Sequence, residues 1–296
     1  MASLQEYNKK LRSFKNTLKI TKTMKMVSAS KLRKAQQNQL GTKAYADKIR
    51  ELIVRLAGSV DENAHPLLRK NEDAKKALVL VFTSDKGLCG GFNNYAIKYV
   101  EKWLAAEGAS YDQVDLGCCG RRGFNYFNAR YENVKEFEDV TRNPSVAAAK
   151  SIADGAMEQF LSGAYDEVFV AYNEFHSPLS QTPTIKKLLP VDPVSNREEA
   201  EKAASEEEKA DDTEYIFEPS KSDLLEILFP QVVEFSVFST LLENSAGEHG
   251  ARMTAMDNAT NNSKSLIESY TLLRNRARQA AITTELTEII SGAEAL

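Results

Sequence analysis

One stretch limits what this chain can fold into more than any other: from Gln231 to about Gly292 it has no proline and carries apolar side chains at helical spacing. Pro230 suits a first helical turn, where a missing N–H leaves no hydrogen bond unmade, and Phe229 before it is pushed away from the α region. The sequence therefore predicts a helix that starts at this proline and stops near Gly292. Such a helix runs roughly 90 Å, far beyond the diameter of a small domain. Alone it buries no stripe, so Val232, Phe235, Leu242, Met253, Met256, Ile267 and Tyr270 require a partner helix.

The other end of the chain supplies one. Ser3 and Glu6 form a capping box, and Leu4, Tyr7, Leu11, Phe14 and Leu18 follow at steps of three and four, a pattern that Tyr45, Ile49, Leu52 and Leu56 resume. No Gly or Pro appears before Gly41, and between the two seams the stripe thins to Met24, Val27, Ala29, Leu32 and Ala35. The prediction is a helix over Leu4 to Ala57, roughly 80 Å long, which pairs with the C-terminal one as a left-handed antiparallel coiled coil. Residues 1–57 hold fourteen Lys or Arg against Glu6, Asp47 and Glu51, a segment net of +11, so with -4 overall the remainder sums to -15. That asymmetry implies an acidic partner.

Between the helices the period changes. Gly58 to Ala74, with His65 and Pro66 at its centre, reads as a connector, and Ala77 to Phe82 is a continuous β-rich run typical of a strand buried on both faces. A helix (Asn94 to Ala106), a strand (Val114 to Cys119), a helix (Arg121 to Tyr131), a helix after Pro144 (Ser145 to Leu161) and a strand (Glu167 to Tyr172) alternate, with Thr182 to Leu189 as an edge strand. The alternation predicts a Rossmann-like α/β domain with a mainly parallel sheet over 75–192. Asp192 to Glu214 holds ten acidic and three basic residues and cannot bury a core, so 193–214 is expected to be a solvated, mobile loop. The apolar patch Tyr215-Ile-Phe217 and a short helix (Lys221 to Leu228) fill 215–229 and lead into the long helix, 230–296.

Several chemistries find no support. The longest strictly apolar run, Ala77 to Phe82, is far short of the ~20 residues of a membrane span, and the lysine-rich amino terminus has no apolar core of a secretory signal. Cys89, Cys118 and Cys119 are odd in number, the adjacent pair is a poor disulfide, and no C-x-x-C spacing offers a zinc site, so a reducing compartment is expected. The turn Thr83 to Asn93 places glycines between a strand and a helix, yet contains neither G-x-x-x-x-G-K-[ST] nor G-x-G-x-x-G. Cys89 within it reads as a small buried residue, and His65, His176 and His249 are scattered singly. A catalytic site in this chain, or a cofactor, is not expected.

Five blocks carry a resemblance: KITKTMKMVSASKLRKAQ (Lys19 to Gln36), SDKGLCGGFN (Ser84 to Asn93), YIFEPS (Tyr215 to Ser220), EHGARMTAMDNATNN (Glu248 to Asn262) and RARQAAITTELTEIISGAEAL (Arg276 to Leu296). Together, in this order, they resemble the gamma subunits of F-type ATP synthases. The resemblance implies a rotor shaft: a coiled coil inside a ring of three alpha and three beta subunits, with the α/β domain as a foot on the c-ring beside the epsilon subunit. It implies a peripheral protein on the cytoplasmic face of the bacterial inner membrane, coupling proton or sodium flow to ATP synthesis or hydrolysis in the beta subunits. Carried over by motif, Lys22, Met24 and Lys25 lie beside acidic beta loops near Arg252, and Arg278, Gln279, Thr283 and Glu288 meet the ring higher up. Tyr215, Phe217 and Glu218 match the foot contact with the c-ring and epsilon.

The chain departs from the family's commoner pattern at Gly247 and Gly250, which would soften the shaft, and in the length of the acidic segment, which lacks the paired cysteines of a thiol-regulated insert. A basic coiled-coil nucleic-acid binder would also explain the +11 segment, but Tyr7, Phe14 and Tyr45 fall on the apolar seam, with none interleaved among the lysines as stacking platforms. A nucleotide-dependent α/β enzyme would explain the sheet but leaves the long helices idle.

Overall fold

The computed structural model describes residues 4–57, 65–71, 73–191 and 221–294. Among these the order is α1 (Leu4–Ala57), β1 (Lys76–Phe82), α2 (Phe92–Ala105), β2 (Gln113–Cys119), α3 (Arg121–Phe127), β3 (Val134–Phe137), α4 (Val146–Leu161), β4 (Glu167–Ser177), β5 (Ser180–Leu189) and α5 (Lys221–Glu294), with short 3-10 turns at Pro66–Leu68 and Gly108–Ser110. The expected class is the one observed: two long terminal helices, of 54 and 74 residues, and an α/β domain with a mainly parallel sheet. Two compact units divide the chain, Met1–Ala29 with Arg252–Leu296, and Ser30–Ala251; α1 and α5 contribute to both. Ser3, 58–64, the acidic segment 193–214 and the Tyr215–Phe217 patch lie outside the described residues.

In the second unit the sheet order is β3-β2-β1-β4-β5, parallel except for the β4–β5 hairpin. β1 lies at its centre and is buried on both faces, which is why its sequence is apolar throughout rather than alternating. Its side chains still divide by parity. Leu78, Leu80 and Phe82 join one core with α4 and the first turns of α5; Ala77, Val79 and Val81 join the other with Ile97, Val100 and Trp103 of α2 and Phe127 of α3.

Three elements differ from the sequence reading. β3 spans four residues, too few for alternation to show. α3 stops at Phe127 rather than Tyr131, because the N–H groups of Arg130 and Tyr131 both donate to Phe127 O in a closing turn, and Asn133 adopts φ 57 as the chain enters β3. α5 begins at Lys221 and runs through Pro230 without a break. A proline inside a helix costs about 3 kcal/mol through the lost N–H and the clash with the carbonyl one turn back. Here Leu225, Phe229, Val232 and Val233 on both sides of it are buried in the core, each such burial worth about 1.5–3 kcal/mol, so packing overrides the local preference.

By length and composition α5 is also apolar enough to cross a membrane, although polar residues such as Glu226, Gln231 and Glu234 break its strictly apolar runs. Its apolar face near these residues packs on the sheet instead, in the core that holds Phe229, Val233, Val237 and Leu241.

Candidate coupling surface

In the first unit the terminal helices lie antiparallel. Tyr270 of α5 sits against both Tyr7 and Phe14 of α1, edge-on, with ring centroids 6.3 and 5.1 Å away. Thr260 meets Thr21 with hydroxyl oxygens 2.8 Å apart, and Lys25 Nζ donates to Asp257 Oδ1 at 2.6 Å. One residue number rises as the other falls, the signature of a single antiparallel register. The inward positions step by four and three: Tyr7, Leu11, Phe14, Leu18, Thr21, Lys25 and Ser28 on α1, and Met253, Met256, Thr260, Ser263, Ile267 and Tyr270 on α5. This is the heptad spacing of a left-handed coiled coil.

The middle of the seam corrects the sequence reading. Apolarity pointed to Met24, Val27 and Ala29; the structure buries Thr21 and Ser28, seats Lys25 at the seam edge, and leaves Val27 51% exposed. The seam is polar at this level, so hydrophobicity was the wrong guide. The 3.5-residue step continued from Leu18 would have found it. Tyr7 and Phe14, packed on Tyr270, are engaged and do not serve as base-stacking platforms.

Of the residues carried over by resemblance, Lys22 is exposed, Met24 half-buried, and Lys25 engaged by Asp257. Arg252 is buried. Arg278, Gln279, Thr283 and Glu288 are exposed on the final turns of α5, well separated along the helix from the Met24 level. Tyr215, Phe217 and Glu218 lie outside the described residues. Asp257, Thr21 and Thr260 were not singled out from sequence, although all three fall inside the blocks that carry the resemblance.

From Arg278 to Ala293 every residue of α5 is exposed. Ile282 (49%), Leu286 (54%), Ile289 (68%) and Ile290 (58%) form one apolar face at i, i+4, i+7 and i+8. Thr283, Thr284 and Thr287 donate to the carbonyls of Gln279, Ala280 and Thr283, so their hydroxyls bond within the helix. No described residue packs on this helical face.

The second unit fills the place where an α/β sheet ordinarily holds a ligand. That place lies beyond the carboxyl ends of the strands where the strand order reverses, here between β1 and β4. Asn244 of α5 donates to Thr83 O at 3.1 Å there, and Asn173 of β4 donates to Phe92 O at 3.0 Å. A Cβ on Gly247 would come within 2.9 Å of the Phe92 ring, and one on Gly250 within 3.1 Å of Pro178 Cα. These glycines are contact points where α2 and the β4–β5 hairpin press on α5. Their helix-softening character is secondary to that close approach.

The glycine turn itself is held by its own side chains. Asn93 Oδ1 accepts from Ser84 N–H at 2.9 Å, while Asn93 Nδ2 donates to Ser84 Oγ at 2.8 Å and to the buried Cys89 Sγ at 3.3 Å. Burial pushes the Cys118 thiol up to about 12, and Cys119 is raised for the same reason, which disfavours a thiolate at either. His65 caps the turn Pro66–Leu68: its Nδ1 accepts from Leu67 N–H at 3.1 Å and its ring packs 4.9 Å from Phe229. Burial lowers its pKa, with Glu226 opposing.

Comparison with known proteins agrees with the resemblance. The family model described as ATP synthase matches residues 3–296. The ATP synthase gamma chain of Trichlorobacter lovleyi is 46% identical over 296 residues, covering 100% of this chain and 99% of that one. That of Bdellovibrio bacteriovorus is 42% identical over 301 residues, again covering 100% and 99%. Among solved structures, a chain of the central stalk and c-ring of the Tetrahymena thermophila mitochondrial ATP synthase is similar with TM-score 0.57 and 25% identity, over 81% of this chain and 99% of that one. A chain from the Euglena gracilis mitochondrial enzyme has the same fold, with TM-score 0.63 and 21% identity over 99% and 94%.

Proposed function

The chain belongs to the ATP synthase gamma-chain family, and from that premise we propose that it is the central rotor shaft of an ion-translocating F-type ATP synthase. The observation that carries this is the end of α5: a helix whose last turns, from Arg278 onward, are exposed all round and present Ile282, Leu286, Ile289 and Ile290 as a continuous apolar face. An axle inside a ring of alpha and beta subunits needs such a surface.

The mechanism follows from asymmetry. A shaft shifts the conformation of a ring subunit only through contacts that differ between that subunit's states. Lys22 and Met24 at one level, and Arg278, Gln279, Thr283 and Glu288 at another, offer charged, polar and apolar groups in a pattern that three identical partners meet differently at each angle. The basic α1 surface suits acidic loops of the housing. Nucleotide chemistry belongs to the ring rather than to this chain, in keeping with Asn244 and Gly247 of α5 filling the crevice at β1 and β4. Tyr215, Phe217 and Glu218 are the proposed contact with the c-ring and epsilon subunit, which would hold the chain peripherally at the cytoplasmic face of the cell membrane.

The test is reconstitution. Vesicles carrying the complete complex should couple ATP hydrolysis to ion pumping, and complexes assembled without this chain should not pump. Equal pumping in both would end the shaft reading. So would ATP turnover by the purified chain that is abolished by substitution within Lys86–Asn93.

A further inference from the structure

We propose that the Thr21–Thr260 hydroxyl pair is a positioning device that sets the register of the two shaft helices, and through it the coupling of rotation to catalysis. The inference rests on the shaft reading above. Both residues sit in the seam and are nearly sealed from solvent, at 7% and 6% exposure. Thr260 donates to Thr21 Oγ1 at 2.8 Å, and Thr21 donates on to Leu18 O at 3.2 Å; rotation of the hydroxyls gives the reverse chain, in which Thr260 donates to Met256 O at 2.7 Å. In either arrangement two hydrogen bonds run from a backbone carbonyl of one helix through both hydroxyls to the threonine side chain of the other.

Apolar seam contacts are tolerant of sliding, because one hydrocarbon side chain replaces another at little loss. A directional pair is not. A slip of one heptad in one direction sets Thr21 against Ile267 and Thr260 against Ser28; in the other it sets Thr260 against Phe14 and Thr21 against Met253. The second slip faces both hydroxyls with side chains that carry none, and the first leaves Thr21 against hydrocarbon and breaks the Thr21–Thr260 pair. The neighbouring Lys25–Asp257 pair points to the same register, but both side chains are about two-fifths exposed, at 41% and 43%, and an exposed ion pair discriminates weakly. The buried hydroxyls therefore carry the selection. Register matters because a slip of one heptad slides one helix surface along the other by about 10.5 Å, which changes the side chains offered together to the ring.

The experiment compares Thr21→Val/Thr260→Val with Thr21→Ser/Thr260→Ser in the complete complex in vesicles, reading ions pumped per ATP hydrolysed. The valine complex should pump about fivefold less per ATP, equivalent to about 1 kcal/mol at 1.4 kcal/mol per tenfold. The serine complex, which keeps both hydroxyls, should recover the wild-type ratio. The unfolding midpoint of the purified full chain should be unchanged or raised by the valines, since replacing both partners with isosteric apolar groups leaves nothing unsatisfied. A lowered midpoint alongside the pumping loss means that the pair only holds the fold, and overturns the proposal. An unchanged pumping ratio in the valine complex overturns it too, while leaving the shaft reading intact, because that reading fails only if complexes without this chain pump equally. If the doubly substituted complex does not assemble, Thr21→Val alone, with Thr260 still able to bond Met256 O, reads the same ratio with the same expected direction.

Discussion

The two ends of α5 are built from similar side chains and meet opposite environments. Near its start, Leu225, Phe229, Val232, Val233, Val237 and Leu241 are buried in the sheet core. Near its end, Ile282, Leu286, Ile289 and Ile290 have comparable apolar area and helical spacing, yet each is about half or more exposed. The first stripe is satisfied by the rest of the chain. The second is covered by none of the described residues. The hydrophobic effect acts on area removed from water and is indifferent to whose atoms remove it, so an unpartnered stripe on a continuous helix is evidence for a partner.

The contrast can be broken or sharpened by substitution, and the largest effect belongs to the start of the helix. Phe229→Ala should cost about 3–5 kcal/mol in denaturant unfolding of the second unit, because Phe229 is fully buried and also supports the His65 ring. A loss below about 1 kcal/mol would mean that this end of α5 is not a core element.

Glycines give a second, smaller contrast. Gly247→Ala should destabilise by about 1–3 kcal/mol despite the better helix propensity of alanine, since the new methyl meets Phe92 at 2.9 Å. Gly292→Ala, with nothing within 4 Å, should stabilise by up to about 1 kcal/mol. Thermal midpoints that move in the same direction for both would contradict the close packing seen at Gly247.

Acid should weaken the second unit through His65. Its pKa is lowered in the folded state by burial, so the unfolded chain binds more protons. Stability from this group is complete above the unfolded value of 6.5 and is lost as pH falls through the lower folded value. Protonation at Nδ1 also removes the acceptor that caps Leu67. Unfolding midpoints taken at pH about 7.5 and about 5.5 should therefore differ less for His65→Asn than for the wild type. Equal differences would assign the acid sensitivity to other groups.

The smallest effect on stability belongs to the end of the helix. Leu286→Ser/Ile289→Ser should leave the isolated chain within about 0.5 kcal/mol of wild type per site, while reducing ATP-driven pumping by the complex. Full pumping by this variant would mean that the exposed stripe is not the surface the ring uses.

Much of the fold was legible before any coordinates. The two long helices, the strands β1, β2 and β4, the edge strand β5 and the buried Cys89 all follow from local pattern: apolar period, turn residues and caps act over a few residues and are written along the chain. The parts that were misread depend on neighbours distant in sequence. Pro230 breaks a helix by local rules, and only the core around Phe229 and Val233 keeps α5 continuous through it. Gly247 and Gly250 look like flexible points until Phe92 and Pro178 are seen against them. The seam at Thr21, Lys25 and Ser28 is invisible to hydrophobicity, because it is defined by Thr260 and Asp257, more than two hundred residues away. By itself the sequence determined which segments are helix or strand and which long helices need a partner, since a residue's period and conformational preference are its own. Only the tertiary structure decided which polar groups face each other, since the free energy of a hydrogen bond or a close contact belongs to a pair, and pairs are chosen by the fold.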